Sequence, residues 1–234
     1  GPVANMLSTG VGYTWKEHAL EEIPVCPADL GDALTCLLHT ILFARAPGPV
    51  RPSEATCQAF PTITYSLCAV GDVSRKVEHT VHAFEAFVRQ TLHGGSASGS
   101  GRSSGSGGGG SRGASWAGGC IVVTFFERKV KSALFGFMSS EEKLCFEKWI
   151  LPFHVSPAPA SVQEKETFTK ETEAAVQNAL LHILSLVQSI DHIPNAMYDF
   201  EISHFSSIDA MHQDATTTFS SRASLGSSGS VRLP

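Results

Sequence analysis

The sequence is short of charge. Asp, Glu, Lys and Arg make up 17% of its 234 residues, against roughly 25% in an average soluble domain. The formal net charge is −5 at pH 7, and Lys and Arg are scattered rather than striped along one face. A polyanion finds no basic field to bind, so no nucleic-acid partner is expected. No apolar run reaches the roughly 18 residues of a membrane-spanning helix, so no direct membrane span is expected. The first residues lack the basic-then-apolar pattern of a signal peptide. Gly1-Pro2 ahead of Met6 reads as the scar of a cleaved purification tag.

Arrangements that carry chemistry are also scarce. The six cysteines (Cys26, Cys36, Cys57, Cys68, Cys120, Cys145) contain no C-x-x-C spacing, which excludes a zinc knuckle or a redox dithiol of that kind. Reduced, buried thiols in a cytoplasmic protein are expected. No glycine-rich phosphate loop opens a helix. Gly101-Arg102-Ser103-Ser104-Gly105 matches the G-x-S-x-G nucleophile pattern, but it lies in a Gly/Ser tract without the rigid elbow that this chemistry needs. His79 and His82 share a helix face with no third ligand indicated by spacing. Glu21-Glu22 and Glu141-Glu142 are adjacent pairs, and neighbouring strand side chains point to opposite faces. No catalytic residue, cofactor or metal is expected, and the chain reads as a protein that binds other proteins.

What is abundant is apolar residues, 42% of the chain, enough for one sizeable core. Ala19 to Val25 reads as an opening strand, which Pro24 confines to a sheet edge. Leu30, Leu34, Leu37, Leu38, Ile41 and Leu42 recur at helical spacing up to the Pro47-Gly48-Pro49 breaker. Phe60 to Cys68 alternates as a strand. A second helix follows Gly71-Asp72, with the stripe Val73, Val77, Val81, Phe84, Val88 and Leu92. Residues 93–119 are a Gly/Ser loop, expected to be flexible. Ile121 to Glu127 and Phe146 to Val155 read as strands of a hairpin joined by Lys129 to Lys143. A third helix spans about Glu164 to Ile190, stopped by Asp191-His192-Ile193-Pro194. Tyr198 to Phe205 is the last strand. Residues 1–18 are expected to be a flexible N-terminus, and 206–234 a disordered Ser/Thr-rich tail. The single domain, 19–205, is α+β, with three helices on one face of an antiparallel sheet.

The hairpin connection is unusual for a loop. Ala133-Leu134-Phe135-Gly136-Phe137-Met138 is an apolar cluster between basic and acidic neighbours. Either it tucks into the core or it is an exposed fingertip for a partner, with Leu134, Phe135, Phe137 and Met138 as contact residues.

An ordered series of segments resembles the autophagy-related protein 101 family. The series runs from Leu37-Leu38-His39-Thr40-Ile41-Leu42-Phe43 with Arg45 and Arg51-Pro52, through Ile63-Thr64-Tyr65 and Glu147-Lys148-Trp149. It ends with Asp191-His192-Ile193-Pro194 and Tyr198-Asp199-Phe200-Glu201-Ile202. The resemblance implies a HORMA domain in a non-enzymatic subunit of the autophagy-initiation kinase complex, cytoplasmic and at the preautophagosomal structure. It implies pairing with the HORMA domain of autophagy-related protein 13, and recruitment of later factors by a finger loop carrying Trp and Phe. Phe137 and Met138 stand near those two positions here, so the indole is missing. The family's dimer surface uses the first strand and the first and third helices, and His39 and Arg45 are candidates for it. The rival is a HORMA adaptor of the checkpoint or polymerase-adaptor kind, which traps a partner peptide. It requires strand-forming residues after the third helix, and the Ser/Thr-rich tail offers few.

Overall fold

A computed structural model describes residues 6–10, 13–46, 50–69, 72–94, 117–132, 139–190 and 198–220. The elements are β1 (Met6–Gly10), β2 (Tyr13–Ala19), β3 (Ile23–Val25), α1 (Leu30–Ala44), β4 (Ser53–Thr56) and β5 (Thr64–Leu67). They continue as α2 (Asp72–Gly94), β6 (Ala117–Ser132), β7 (Ser139–Val155), α3 (Val162–Gln188), β8 (Tyr198–Phe205) and α4 (Ile208–Ser220). The main sheet has the order β1-β2-β7-β6-β8, with β3 also on β7, and β4 and β5 form a separate pair.

The α+β class stands, with two corrections. The sheet is mixed rather than antiparallel, because β2 and β3 both run parallel to β7. They lie end to end along it, Lys16–Ala19 against Glu147–Ile150 and Ile23–Val25 against Phe153–Val155. Of the expected opening strand Ala19–Val25, only the ends are strand: Ala19 closes β2 and Ile23–Val25 is β3, with Leu20 N–H donating to Ile150 O (2.9 Å) between them. There are four helices among the described residues rather than three, since α4 forms within the expected tail. The expected flexible N-terminus also contributes, as the antiparallel pair β1–β2.

Helix α1 lies at the centre. Its buried residues include Leu30, Leu34, Leu37, Leu38 and Ile41, which cover more than one face, and it contacts α2, α3 and β5. Helix α3 buries a narrower stripe, Thr172, Val176, Ala179 and Ile183, at steps of three and four. Its start is set by Ser161, whose hydroxyl accepts from Glu164 N–H (3.2 Å). That Ser-x-x-Glu cap places the helix start slightly ahead of Glu164. In β6 the run Cys120–Val123 is buried on both faces. Ile121 and Val123 join the helical core, whereas Cys120 and Val122 pack with Ile150 beneath Met211 of α4.

Gly119 marks a close approach. A Cβ there would lie 2.8 Å from the Phe84 ring and 2.9 Å from the Phe205 carbonyl oxygen. Gly119→Ala is expected to cost about 1–3 kcal/mol, because backbone stands on one side and a fully buried ring on the other. Urea denaturation measures this, and an unchanged midpoint would contradict the packing.

Candidate functional site

Two surfaces stand out. The first is the β6–β7 ribbon. Strand β8 accompanies β6 only as far as Glu127↔Tyr198, and β2 meets β7 only from Glu147 onward. Five further register pairs, Arg128↔Lys143 through Ser132↔Ser139, continue without a neighbour among the described strands. At about 3.4 Å per residue the ribbon projects roughly 17 Å past the sheet. Its base is braced onto β8. Arg128 Nη2 donates to Asp199 Oδ2 (2.5 Å), Lys143 pairs with Glu201, and the Lys143 ammonium lies 4.6 Å from the Phe126 ring centroid. The strands thus run well into the expected connection 129–143. Leu134, Phe135, Phe137 and Met138 lie outside the described residues.

The second surface lies on α3 beside α1 and the β4–β5 pair. A groove of about 580 Å³ is lined by Phe43, Pro52, Tyr65, Leu180 and Leu184. Leu181 is 66% exposed and Leu184 48% exposed, one helical turn apart. A single exposed leucine is ordinary, but Leu184 lines the groove and Leu181 stands one turn before it, and the two form an apolar patch. The groove walls are fixed relative to each other. Thr62, in the turn between β4 and β5, bonds to Glu173, and Gln177 Nε2 donates to Thr62 Oγ1 (3.3 Å). The stripe pattern did not single out Leu181 and Leu184. Their apolar identity and spacing were visible, but not which side of α3 the core would leave uncovered.

His39 and Arg45, the residues expected at a dimer surface, do not present one. His39 is 3% exposed and Arg45 is 5% exposed. His39 Nδ1 accepts from Cys68 N–H (3.3 Å), and burial holds its pKa below the ordinary histidine value. Arg45 closes a buried network instead. Its Nε and Nη2 donate to Glu147 Oε1 and Oε2 at 2.9 and 2.6 Å. Trp149 Nε1 donates to Glu147 Oε1 (2.6 Å), and the Tyr198 hydroxyl donates to the Arg45 carbonyl (2.5 Å). One unit thereby ties the end of α1 to β7 and β8. Glu147 and Trp149, two apart on a strand, share the core-facing side. An apolar pocket of about 160 Å³ lies beside this unit, lined by Leu42, Val50, Val73, Phe125 and Phe200.

No group of three or more His, Cys, Asp or Glu among the described residues is arranged to hold a metal. His82 faces Glu85 at 3.5 Å on its own helix. No disulfide joins any of the six cysteines. Burial pushes the Cys36 thiol up to about 12, with Cys57 and Asp32 adding to the effect, and pushes Cys120 and Cys145 up to about 11. Such thiols hold their protons near neutrality and are poor nucleophiles. No described helix is long and apolar enough to cross a membrane.

A family model described as autophagy-related protein 101 matches residues 22–199. That span runs from the start of β3 to the start of β8. It includes the ribbon, the α3 groove and the whole Arg45 network. An Arabidopsis thaliana protein named autophagy-related protein 101 is 26% identical over 215 residues, covering 82% of this chain and 87% of that protein.

Proposed function

The chain belongs to the autophagy-related protein 101 family, and from that premise we propose that it is a non-enzymatic HORMA-domain adaptor of autophagy initiation. It heterodimerises with the HORMA domain of autophagy-related protein 13, stabilises it, and recruits later factors at the tip of the β6–β7 ribbon. Through that partner it takes its place in the autophagy-initiation kinase complex, in the cytoplasm and at the preautophagosomal structure. The observation that carries this proposal is the exposed apolar pair on α3, Leu184 in the groove and Leu181 beside it. A helix that buries only a narrow stripe against its own core has a second side left for a partner. The partner's apolar side chains would fill the groove beside Phe43 and Tyr65.

Size-exclusion chromatography with light scattering tests the pairing. The full chain is run alone and with an equimolar amount of the HORMA domain of autophagy-related protein 13 from the same source. A one-to-one complex is the expected result, and a stable monomer that leaves the partner free would refute the pairing.

The ribbon has its own test. Replacing Phe135, Phe137 and Met138 together by alanine is expected to leave the thermal midpoint nearly unchanged and abolish recruitment of downstream factors in a pull-down. Loss of folding instead would place these residues in the core.

A further inference from the structure

His18 on β2 is 2% exposed, and neither ring nitrogen has a hydrogen-bond partner. Its ring centroid lies 4.5 Å from that of Trp149, the residue facing it across the parallel β2–β7 register. The charged and titratable groups around it come from four elements. They are Lys16 on β2, Glu147 on β7, Arg45 at the end of α1, and His182 on α3. Strand β1 carries none. The single carboxylate in this set already accepts three bonds, two from Arg45 and one from Trp149. A proton added to His18 therefore creates a buried cation beside two permanent cations, with no free acceptor. The protonated ring has two ways to find an acceptor, of which only one releases the strand. Taking Glu147 would strand Arg45 or the Trp149 indole and would tie β2 to β7, whereas turning to water satisfies both N–H groups and parts the two strands.

Strand β2 is poorly held at this seam. Its register with β7 spans only Lys16–Ala19, and its other partner is β1. The β1–β2 hairpin can therefore come away while β6, β7 and β8 stay paired. We propose that His18 is an acid-operated release for the β1–β2 hairpin, with the neutral ring keeping the hairpin docked on β7 and the protonated ring detaching it. This inference does not depend on the identity of any partner. Burial is the main influence on His18 and lowers its pKa, with Glu147 opposing. The contribution to stability is therefore complete above the ordinary histidine value and is lost as pH falls below it. By linkage, each pH unit in the responsive range changes the opening constant by up to about tenfold.

Hydrogen–deuterium exchange of the full chain at about pH 7.5 and about pH 5, corrected for intrinsic exchange, tests the proposal. Protection of the β2 amides is expected to fall at least about tenfold at the lower pH, while the β6 and β8 amides hold theirs. His18→Phe fills the space, stacks on Trp149 and cannot take the proton, so it is expected to remove the acid response. Should that variant not fold, His18→Leu and the wild-type ring resonance serve in its place. The ring is expected to titrate together with β2 exchange. Among the described residues His39 is also a buried histidine with a lowered pKa, but opening there would appear in α1 and β5, which places the two effects apart. Retention of the acid response in His18→Phe overturns the proposal, as does wild-type β2 protection that is indifferent to pH.

Discussion

Glu147→Ala is expected to destabilise the protein by about 3–5 kcal/mol, since it strands a buried arginine without its counter-ion. Arg45 and Glu147 are 5% and 2% exposed, so water cannot substitute for the lost carboxylate. The indole of Trp149, itself fully buried, loses its acceptor in the same step. For a domain of this size each kcal/mol is worth roughly 2–4 °C, so the thermal midpoint should fall by roughly 6–20 °C. The pair is not stabilising in every comparison. Desolvating two charges offsets most of their attraction, so the double replacement Arg45→Met with Glu147→Leu should recover much of the loss. Calorimetry of the wild type, the single variant and the double variant measures both effects. A single variant within about 1 kcal/mol of wild type would mean that the pair is not buried as described.

Leu181→Asp combined with Leu184→Asp should leave the fold intact and weaken partner binding by at least about a hundredfold. Both side chains are largely exposed, and surface changes of this kind usually alter stability by less than about 0.5 kcal/mol. A central apolar anchor of an interface is worth about 2 kcal/mol or more, and the two charges, one in the groove and one beside it, must also be desolvated. Titration calorimetry with the HORMA domain of autophagy-related protein 13 gives the affinity, and circular dichroism checks the fold. Ile183→Asp is the contrasting variant. It lies on the same helix but is fully buried, so it should unfold the protein rather than spare it. Unchanged affinity in the Leu181/Leu184 variant would remove this face from the interface.

The elements with sustained periodicity were legible in the sequence. The helix through Leu30–Leu42 and the strand Tyr198–Phe205 fall where the pattern puts them. Strand β4 was missed because Ser53-Glu54-Ala55-Thr56 has no apolar alternation, and three of its four residues are exposed. Its pairing with β5 is set by the partner strand rather than by its own composition. Helix α4 was missed for a related reason. Met211 is its only buried residue with a described side chain, so its one apolar contact leaves little periodic signal in a Ser/Thr-rich segment. Recognising β2 in the expected flexible N-terminus, ahead of β3, required knowing that β7 is long enough to accept both end to end.

The sequence by itself determined the segments of sustained periodicity, which faces of them are apolar, and, through an ordered series of short motifs, the family. The tertiary structure decided the roles of individual residues. Arg45 resembles a surface arginine until Glu147, 102 positions away, is placed against it. Leu181 resembles a core leucine until the stripe through Val176 and Ile183 turns it outward. The physical reason is range. Periodicity is a property of neighbours along the chain, whereas the free energy of burying a charge or exposing a leucine depends on what distant segments bring up against it.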